Sequence, residues 1–484
     1  MTVSTRHRVA GRKPGGRKAR IAALLAAAAL AALSGCQNTP RFLGGKPASP
    51  PASQNPRIVT PLPGRTAPAR APIPAPAGPS DPAPQIAVPP VEAPAPLVLK
   101  PPAEEEGKVR VGLLLPLSGP QAAIGRALLD GALLALYQVA DRNFVLVPID
   151  TEGTPTGAAA AARTAVEERV ELAIGPVFGT GVTAAAPVLI AAGINMLPLS
   201  NDSAVAEPGV YLSGLLPETQ IGRVVRYAAG RGSRNVAALL PDNALGTRVK
   251  SALESVAAEL RMAPPRIAFF GSDTSSIVRA VRSIGDYESR RAALLAQRRS
   301  LEGSDDEVSR RTLDRLKALE TFGPVPFDSL VVAASGTELT EVAAQLGNFD
   351  IDTKRVRLLG LSSWIAEGTG REPALVGAWF AAEPQGQTVE YSLQFKDIFG
   401  TDPHPLSTAS FDLTALSAIL AARVDRGRFG REVLTDPSGF VGISGLFRFL
   451  PNGLPERGLE VREVEPWGSK TIDPAPETFV RITN

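Results

Sequence analysis

Apolar positions along the chain gather into short continuous runs, separated by stretches with helical spacing. Val109-Arg110-Val111-Gly112-Leu113-Leu114-Leu115 is such a run, as expected of a strand buried on both faces. Helical spacing over 121–139 follows it. Next come a strand at 144–147, an alanine-rich helix over 158–168 and a strand at 172–174 that ends in Gly175-Pro176. A helix over 182–191 and a strand at 194–197 close this first series. A second series repeats the alternation, with helices over 224–229, 247–260, 275–284 and 338–346 and strands at 236–240, 267–270, 329–333 and 356–359. Regular alternation predicts an α/β fold of parallel, doubly wound sheets. Two series predict two Rossmann-like lobes, with a ligand cleft at the carboxyl ends of their strands. The first lobe is expected over about 108–216 and 384–441, the second over about 217–383 and 442–467, and a C-terminal tail over 468–484.

One segment departs from the pattern. Residues 286–320 hold eight Lys/Arg and eight Asp/Glu, with Leu and Ala at helical spacing. Gly303 interrupts the run, and Ser304-Asp305-Asp306-Glu307 reads as a capping box. A charged helical hairpin standing off the second lobe is expected, either as a solvated appendage or as an arm that docks a partner.

The N-terminal segment, residues 1–107, has a different grammar. Arg6, Arg8, Arg12, Lys13, Arg17, Lys18 and Arg20 precede an Ala/Leu-rich run over 21–33, too short to span a bilayer stably. Leu33-Ser34-Gly35-Cys36 then resembles the lipobox of bacterial lipoproteins, and Cys36 is the only cysteine in the chain. The resemblance implies a signal peptide over 1–35 and a lipidated first residue, Cys36, on the periplasm-facing side of the envelope. Gln37, where Asp would favour retention, leans toward the outer membrane rather than the inner. No later stretch reads as a membrane span, so the acyl group would be the anchor. Residues 36–107 are rich in Pro and Ala and sustain no helical or strand period, which predicts an extended, disordered spacer. Fully extended it would reach on the order of 200 Å, at about 3.1 Å per residue.

Processing changes the charge argument. The whole chain carries a formal +3, and removing the seven N-terminal charges leaves −4. No basic signal for nucleic acid survives. Enzyme chemistry finds little support. Beyond the leader the one histidine is His404, held between Pro403 and Pro405. Neither a phosphate-binding glycine loop nor a Gly-x-Ser-x-Gly elbow is present, and no His/Cys cluster has metal-ligand spacing. No catalytic residue, cofactor or metal is expected.

Several segments resemble one family in order and spacing. Val111 to Pro120, Gly175-Pro176-Val177-Phe178-Gly179-Thr180 and Pro198-Leu199-Ser200-Asn201-Asp202-Ser203 resemble the opening strand and first-lobe ligand loops of type I periplasmic binding proteins, the leucine/isoleucine/valine-binding class. Pro241-Asp242-Asn243-Ala244-Leu245-Gly246 and Gly360-Leu361-Ser362-Ser363-Trp364 resemble the second-lobe loops. Phe411-Asp412 resembles the pair that opens a late helix, and Gly442 to Phe449 with Pro451-Asn452-Gly453 the closing strand and turn. Together with the lipobox, spacer and charged insertion, the whole resembles the penicillin-binding protein activators, lipoproteins of the LppC type that act on a peptidoglycan synthase. The Pro-rich spacer stands where that family's best-known members carry a helical repeat domain.

The resemblance implies cleft residues. Thr180, Ser200 and Ser203, with the amides around Gly179, would hold a ligand carboxylate, and Ser118, Phe178 and Asn201 are further cleft candidates. Ser363 stands where an acid for the ammonium is expected, beside Trp364, and Leu245 stands where an aromatic is expected. Asp202 and Asp242 are the substitutes, with Asn243 alongside. The same residue types cap helices and satisfy loop backbones, so these positions have a purely structural reading as well. The leading functional reading is an activator of peptidoglycan synthesis. The alternatives are the solute-binding protein of an amino-acid or amide importer and an envelope scaffold with a vestigial cleft.

Overall fold

The computed structural model of the chain describes residues 107–304, 306–366, 368–422 and 428–479. The expected signal peptide, Cys36 and the Pro-rich spacer lie outside the described residues. Strands β1 (Val109–Leu115), β2 (Phe144–Asp150), β3 (Leu172–Ile174) and β4 (Asn195–Leu197) form a parallel sheet of order β2-β1-β3-β4. Between them run α1 (Ala122–Val139), α2 (Pro155–Glu167) and α3 (Gly179–Ala191). β1 is nearly continuous in apolar residues because it is buried on both faces. Val111, Leu113 and Leu115 enter the core under α1, and Leu114 enters the core under α2 and α3. The second core is built largely of alanine, Ala158, Ala161, Ala162 and Ala165 of α2 against Ala185 and Ala186 of α3. Thr154 starts α2 by accepting a hydrogen bond from Gly157 N at 3.0 Å, with Pro155 at the first helical position.

The second lobe contains α4 (Pro217–Gly230), β5 (Val236–Pro241), α5 (Ala244–Glu259), β6 (Arg266–Phe270) and α6 (Thr274–Ile284). The charged segment follows as α7 (Tyr287–Leu301) and α8 (Glu307–Lys317), then β7 (Ser329–Val332), α9 (Gly336–Asn348), β8 (Arg357–Gly360) and β9 (Trp379–Ala382). The chain then returns to the first lobe as α10 (Gly386–Phe399), α11 (Ser407–Ala421) and α12 (Arg431–Leu434). A small antiparallel sheet of β10 (Phe440–Gly442), β11 (Gly445–Phe449) and β12 (Pro455–Arg457) follows. β13 (Glu460–Glu465) and β14 (Gly468–Asp473) complete the second sheet, whose order is β14-β13-β9-β8-β7-β5-β6. β13 and β14 pair antiparallel and the other five strands parallel.

Several expected boundaries move. Phe447 and Phe449 of β11 pack into the first-lobe core, so the chain crosses to the second lobe near Gly458 rather than at 442. The expected tail begins with β14, which extends the second sheet. Phe411-Asp412 lies inside α11, not at its start, and α10 was not foreseen. In the hairpin, Asp306 rather than Ser304 caps α8, accepting from Ser309 N at 2.9 Å. α1 is long and apolar enough to cross a membrane by length and composition, contrary to the expectation that no later stretch is. In the fold it gives Leu128 and Ala132 to the first-lobe core.

Candidate functional site

The loops after β1, β3 and β4 leave adjacent strands at one edge of the first sheet. Asp150, at the end of β2, organises the first of them. Its Oδ1 accepts from Leu117 N at 2.9 Å, Ser118 N at 3.2 Å and Glu152 N at 2.7 Å. Burial pushes its pKa up, but these donors and the Ser118 hydroxyl outweigh it and hold the carboxyl below its ordinary range. Ser118 is exposed, and its loop is tied back to the sheet.

The other two loops close on each other. Phe178 precedes α3 and packs against the first-lobe core, and Gly179 and Thr180 form the first turn of that helix. A side chain at Gly179 would meet the Asp202 carboxylate oxygen at 2.7 Å, so this carboxylate rests against the start of α3. Its Oδ1 also accepts from Ala204 N at 3.1 Å. A helix N-terminus favours negative charge, and Asp202 stands beside this one without capping it by a side-chain hydrogen bond. Ser200 is buried, with its hydroxyl accepting from Asp202 N at 3.1 Å. Asn201 and Thr180 are exposed.

Ser203 reaches the second lobe. Its hydroxyl donates to Glu218 Oε1 of α4 at 3.0 Å, and Glu218 is held by Arg248 of α5 through two bonds of 2.8 Å. Burial pushes the Glu218 pKa up, but Arg248 and Ser203 more than offset this and hold it below the usual carboxylate range. The three residues join the lobes through one charged bridge.

In the second-lobe loops, Asn243 is the side-chain cap of α5, accepting from Gly246 N at 3.2 Å. Asp242 is exposed, and its N–H donates to Phe270 O. Leu245 packs against the core between α4 and α5. Ser363 is exposed. Trp364 is not a cleft residue. It is 1% exposed in the second-lobe core, donates Nε1–H to Ala334 O at 2.9 Å and lies so close to Gly360 that a Cβ there would sit 2.2 Å from the ring. An indole beside a loop glycine reads equally as ligand wall or core, and packing decided it.

Two further polar residues, Arg457 at the crossings between lobes and Asp412 within the first lobe, were not among the expected cleft residues. Arg457 donates to Ser213 O and to Glu383 Oε1, the latter at 2.6 Å. Asp412 of α11 is 5% exposed and accepts from Ile443 N at 2.7 Å and from Ser444 N and Oγ at 3.0 and 2.7 Å. Burial raises the pKa of Asp412, with the Ser444 and Ile443 donors and Arg457 offsetting it in part. Glu383 is raised by burial too, with Arg457 opposing and Asp412 reinforcing the shift. An acid amid the apolar run Ser410-Phe411-Asp412-Leu413 was the available signal. Among the described residues no group of three or more His, Cys, Asp or Glu is placed to hold a metal.

Two α/β lobes joined by three crossings, with loops converging at strand carboxyl ends, define a bilobed binding-protein architecture. The family model for periplasmic binding proteins matches residues 108–429, and the chain belongs to that family. A structure described as a branched-chain amino-acid ABC transporter protein from Rhodospirillum rubrum superposes with a TM-score of 0.58 at 15% identity, covering 75% of this chain and 100% of that one. The C-domain of LpoA (YraM) from Haemophilus influenzae, a regulator of PBP1A, gives 0.53 at 17% identity, covering 75% of this chain and 99% of that one. An uncharacterised protein of Rickettsia prowazekii, RP748, is 21% identical over 183 residues, 38% of this chain. The chain thus spans about half, 49%, of that curated relative.

Proposed function

We propose that this chain is a lipid-anchored envelope regulator, an activator of a peptidoglycan synthase, rather than the receptor of an importer. The observation that carries this choice is the self-satisfaction of the first-lobe ligand loops. The Asp202 carboxylate lies beside Gly179 at the start of α3, and the hydroxyls of Ser200 and Ser203 are engaged within the chain. A zwitterionic amino acid needs a free anion cradle and a free acid. Here an internal acid repels its carboxylate, and Ser363 stands where its ammonium would need a charge. The fold shared with the LpoA C-domain, itself a regulator of PBP1A, supports the kind of partner. Anchoring through Cys36, with the Pro-rich spacer as a tether toward the outer membrane, belongs to the same reading. A partner fixed in or across the envelope suits a tethered protein better than a solute in free diffusion does.

The second reading, a solute-binding protein of an amino-acid importer, is favoured by the loops converging at the strand ends. Calorimetric titration of the full chain with the branched-chain amino acids separates the two. No saturable heat is expected, and saturable binding of leucine would establish the importer reading instead.

A further inference from the structure

The far pole of the second lobe, at the amino ends of its parallel strands, carries a cavity of about 250 Å³ that no part of the binding-protein reading uses. Its walls carry four cations, Arg231, Lys354, Arg355 and Arg357, against one carboxylate, Asp328. The nearby acids are already committed. Asp328 accepts from Ser233 Oγ through one oxygen and from Arg234 N and Asn235 N, at 2.8 and 2.9 Å, through the other. Asp352 accepts from Lys354 N at 2.9 Å. Glu463 is held by Trp379 Nε1–H at 3.0 Å and by Lys470 at 3.1 Å. The cations are not so committed. Among the described residues, Arg231, Lys354 and Arg355 have no ion pair, while Arg357 donates to the Gly377 carbonyl and lies near enough to Glu463 to help lower its pKa. The C-terminal carbonyls of α4 do not explain Arg231, because Arg234 donates to Ala229 O there.

Two of the guanidinium groups are held in place by aromatic rings. Arg231 lies 5.0 Å from the Tyr227 ring and Arg357 lies 4.4 Å from the Trp379 ring. Tyr227 and Trp379 themselves meet edge to face at 5.0 Å. One aromatic pair therefore racks two guanidiniums on a single wall, before any ligand arrives. The Ser233 and Ser329 hydroxyls, 2.7 Å apart, line the same cavity. Planar guanidinium forks recognise phosphate oxygens in pairs, and three arginines with a lysine match a dianion better than a single carboxylate.

We infer that this pole binds a phosphate group, either free or as the headgroup of an anionic lipid. The test titrates the full chain, at physiological salt, with inorganic phosphate and separately with phosphatidic-acid vesicles, using phosphatidylcholine vesicles as blank. A Lys354→Gln/Arg355→Gln double variant should weaken the binding by on the order of tenfold or more, each lost charge-assisted contact contributing. Both side chains are exposed, so the fold is expected to survive, and circular dichroism checks it. An Arg142→Gln/Arg163→Gln variant removes the same charge from the first lobe and should bind as the parent does. Saturable binding of inorganic phosphate with this pattern supports a free-phosphate site. Binding to phosphatidic-acid vesicles alone, with the same pattern, supports a headgroup site. No binding to either probe, binding that survives the Lys354/Arg355 change, or equal loss in the first-lobe control overturns the inference.

Discussion

Single residues decide what the cleft can hold. Glycine at 179 admits the Asp202 carboxylate to the start of α3, and any side chain there would collide with it. Ser203 and Glu218 convert a ligand hydroxyl and a surface acid into an interlobe bond. The Glu218 carboxyl has a folded pKa below its unfolded value, so its contribution is fully present above the ordinary glutamate range, near 4.3, and is lost as pH falls through the folded value. Glu218→Gln should therefore cost about 1–2 kcal/mol at neutral pH, as expected for hydrogen bonds to a charged group. Denaturant unfolding as a function of pH checks it. The gap between parent and variant should be constant from pH 6 to 8 and close only as pH falls below the ordinary glutamate range and through the lower folded value. A gap that persists in acid would show that the bridge does not depend on the charge.

At the scale of elements, the hairpin of α7 and α8 is tied to the second lobe by a buried cation. Arg290, 7% exposed, donates to Gly285 O, Gly323 O, Thr321 Oγ1 and Asp350 Oδ2. Tyr287 packs edge-on against Phe349 at 5.2 Å, and Leu294 and Leu316 are buried between the helices and their base. Arg290→Met removes the bonds while keeping the bulk. It should cost about 1–3 kcal/mol, the penalty of unsatisfied buried partners. Limited proteolysis should then cut within 287–317 while the lobes stay intact. Simultaneous digestion of the whole fold would mean that the hairpin is not a separate unit.

The strands were legible because burial on both faces writes a nearly unbroken apolar run, complete in β5 and broken in β1 only by Arg110. Helix starts were less so. α3 begins with Gly179-Thr180-Gly181 and α4 with Pro217-Glu218-Thr219, first turns whose polar or small residues lack an apolar period. α10 hid because Val389, Leu393 and Ile398 are exposed, so its apolar residues do not mark one face. The start of α11 was misplaced for the opposite reason, the helix being buried nearly all round. The loops of the candidate site could be named from sequence. Their partners could not, because Ser203 and Glu218 are brought together across the lobes, and Asp412 and Ser444 by the fold of the first lobe, rather than by local spacing.

For the whole molecule, the two lobes are held by polar contacts at their crossings as much as by packing. Arg457 ties the Ser213 carbonyl to Glu383, and Glu218 ties α4 to the loop after β4. A binding protein that closes on a solute needs freedom at those crossings and open polar groups in its loops. Here the crossings are tied by Arg457 and Glu218, and under the proposed function the fixed surface that results is what another protein reads. The most direct test measures peptidoglycan polymerisation and cross-linking by a purified bifunctional penicillin-binding protein from the same bacterium, with and without the full-length chain. A rise in rate that saturates with added chain is the predicted result. An unchanged rate at every concentration would contradict the account.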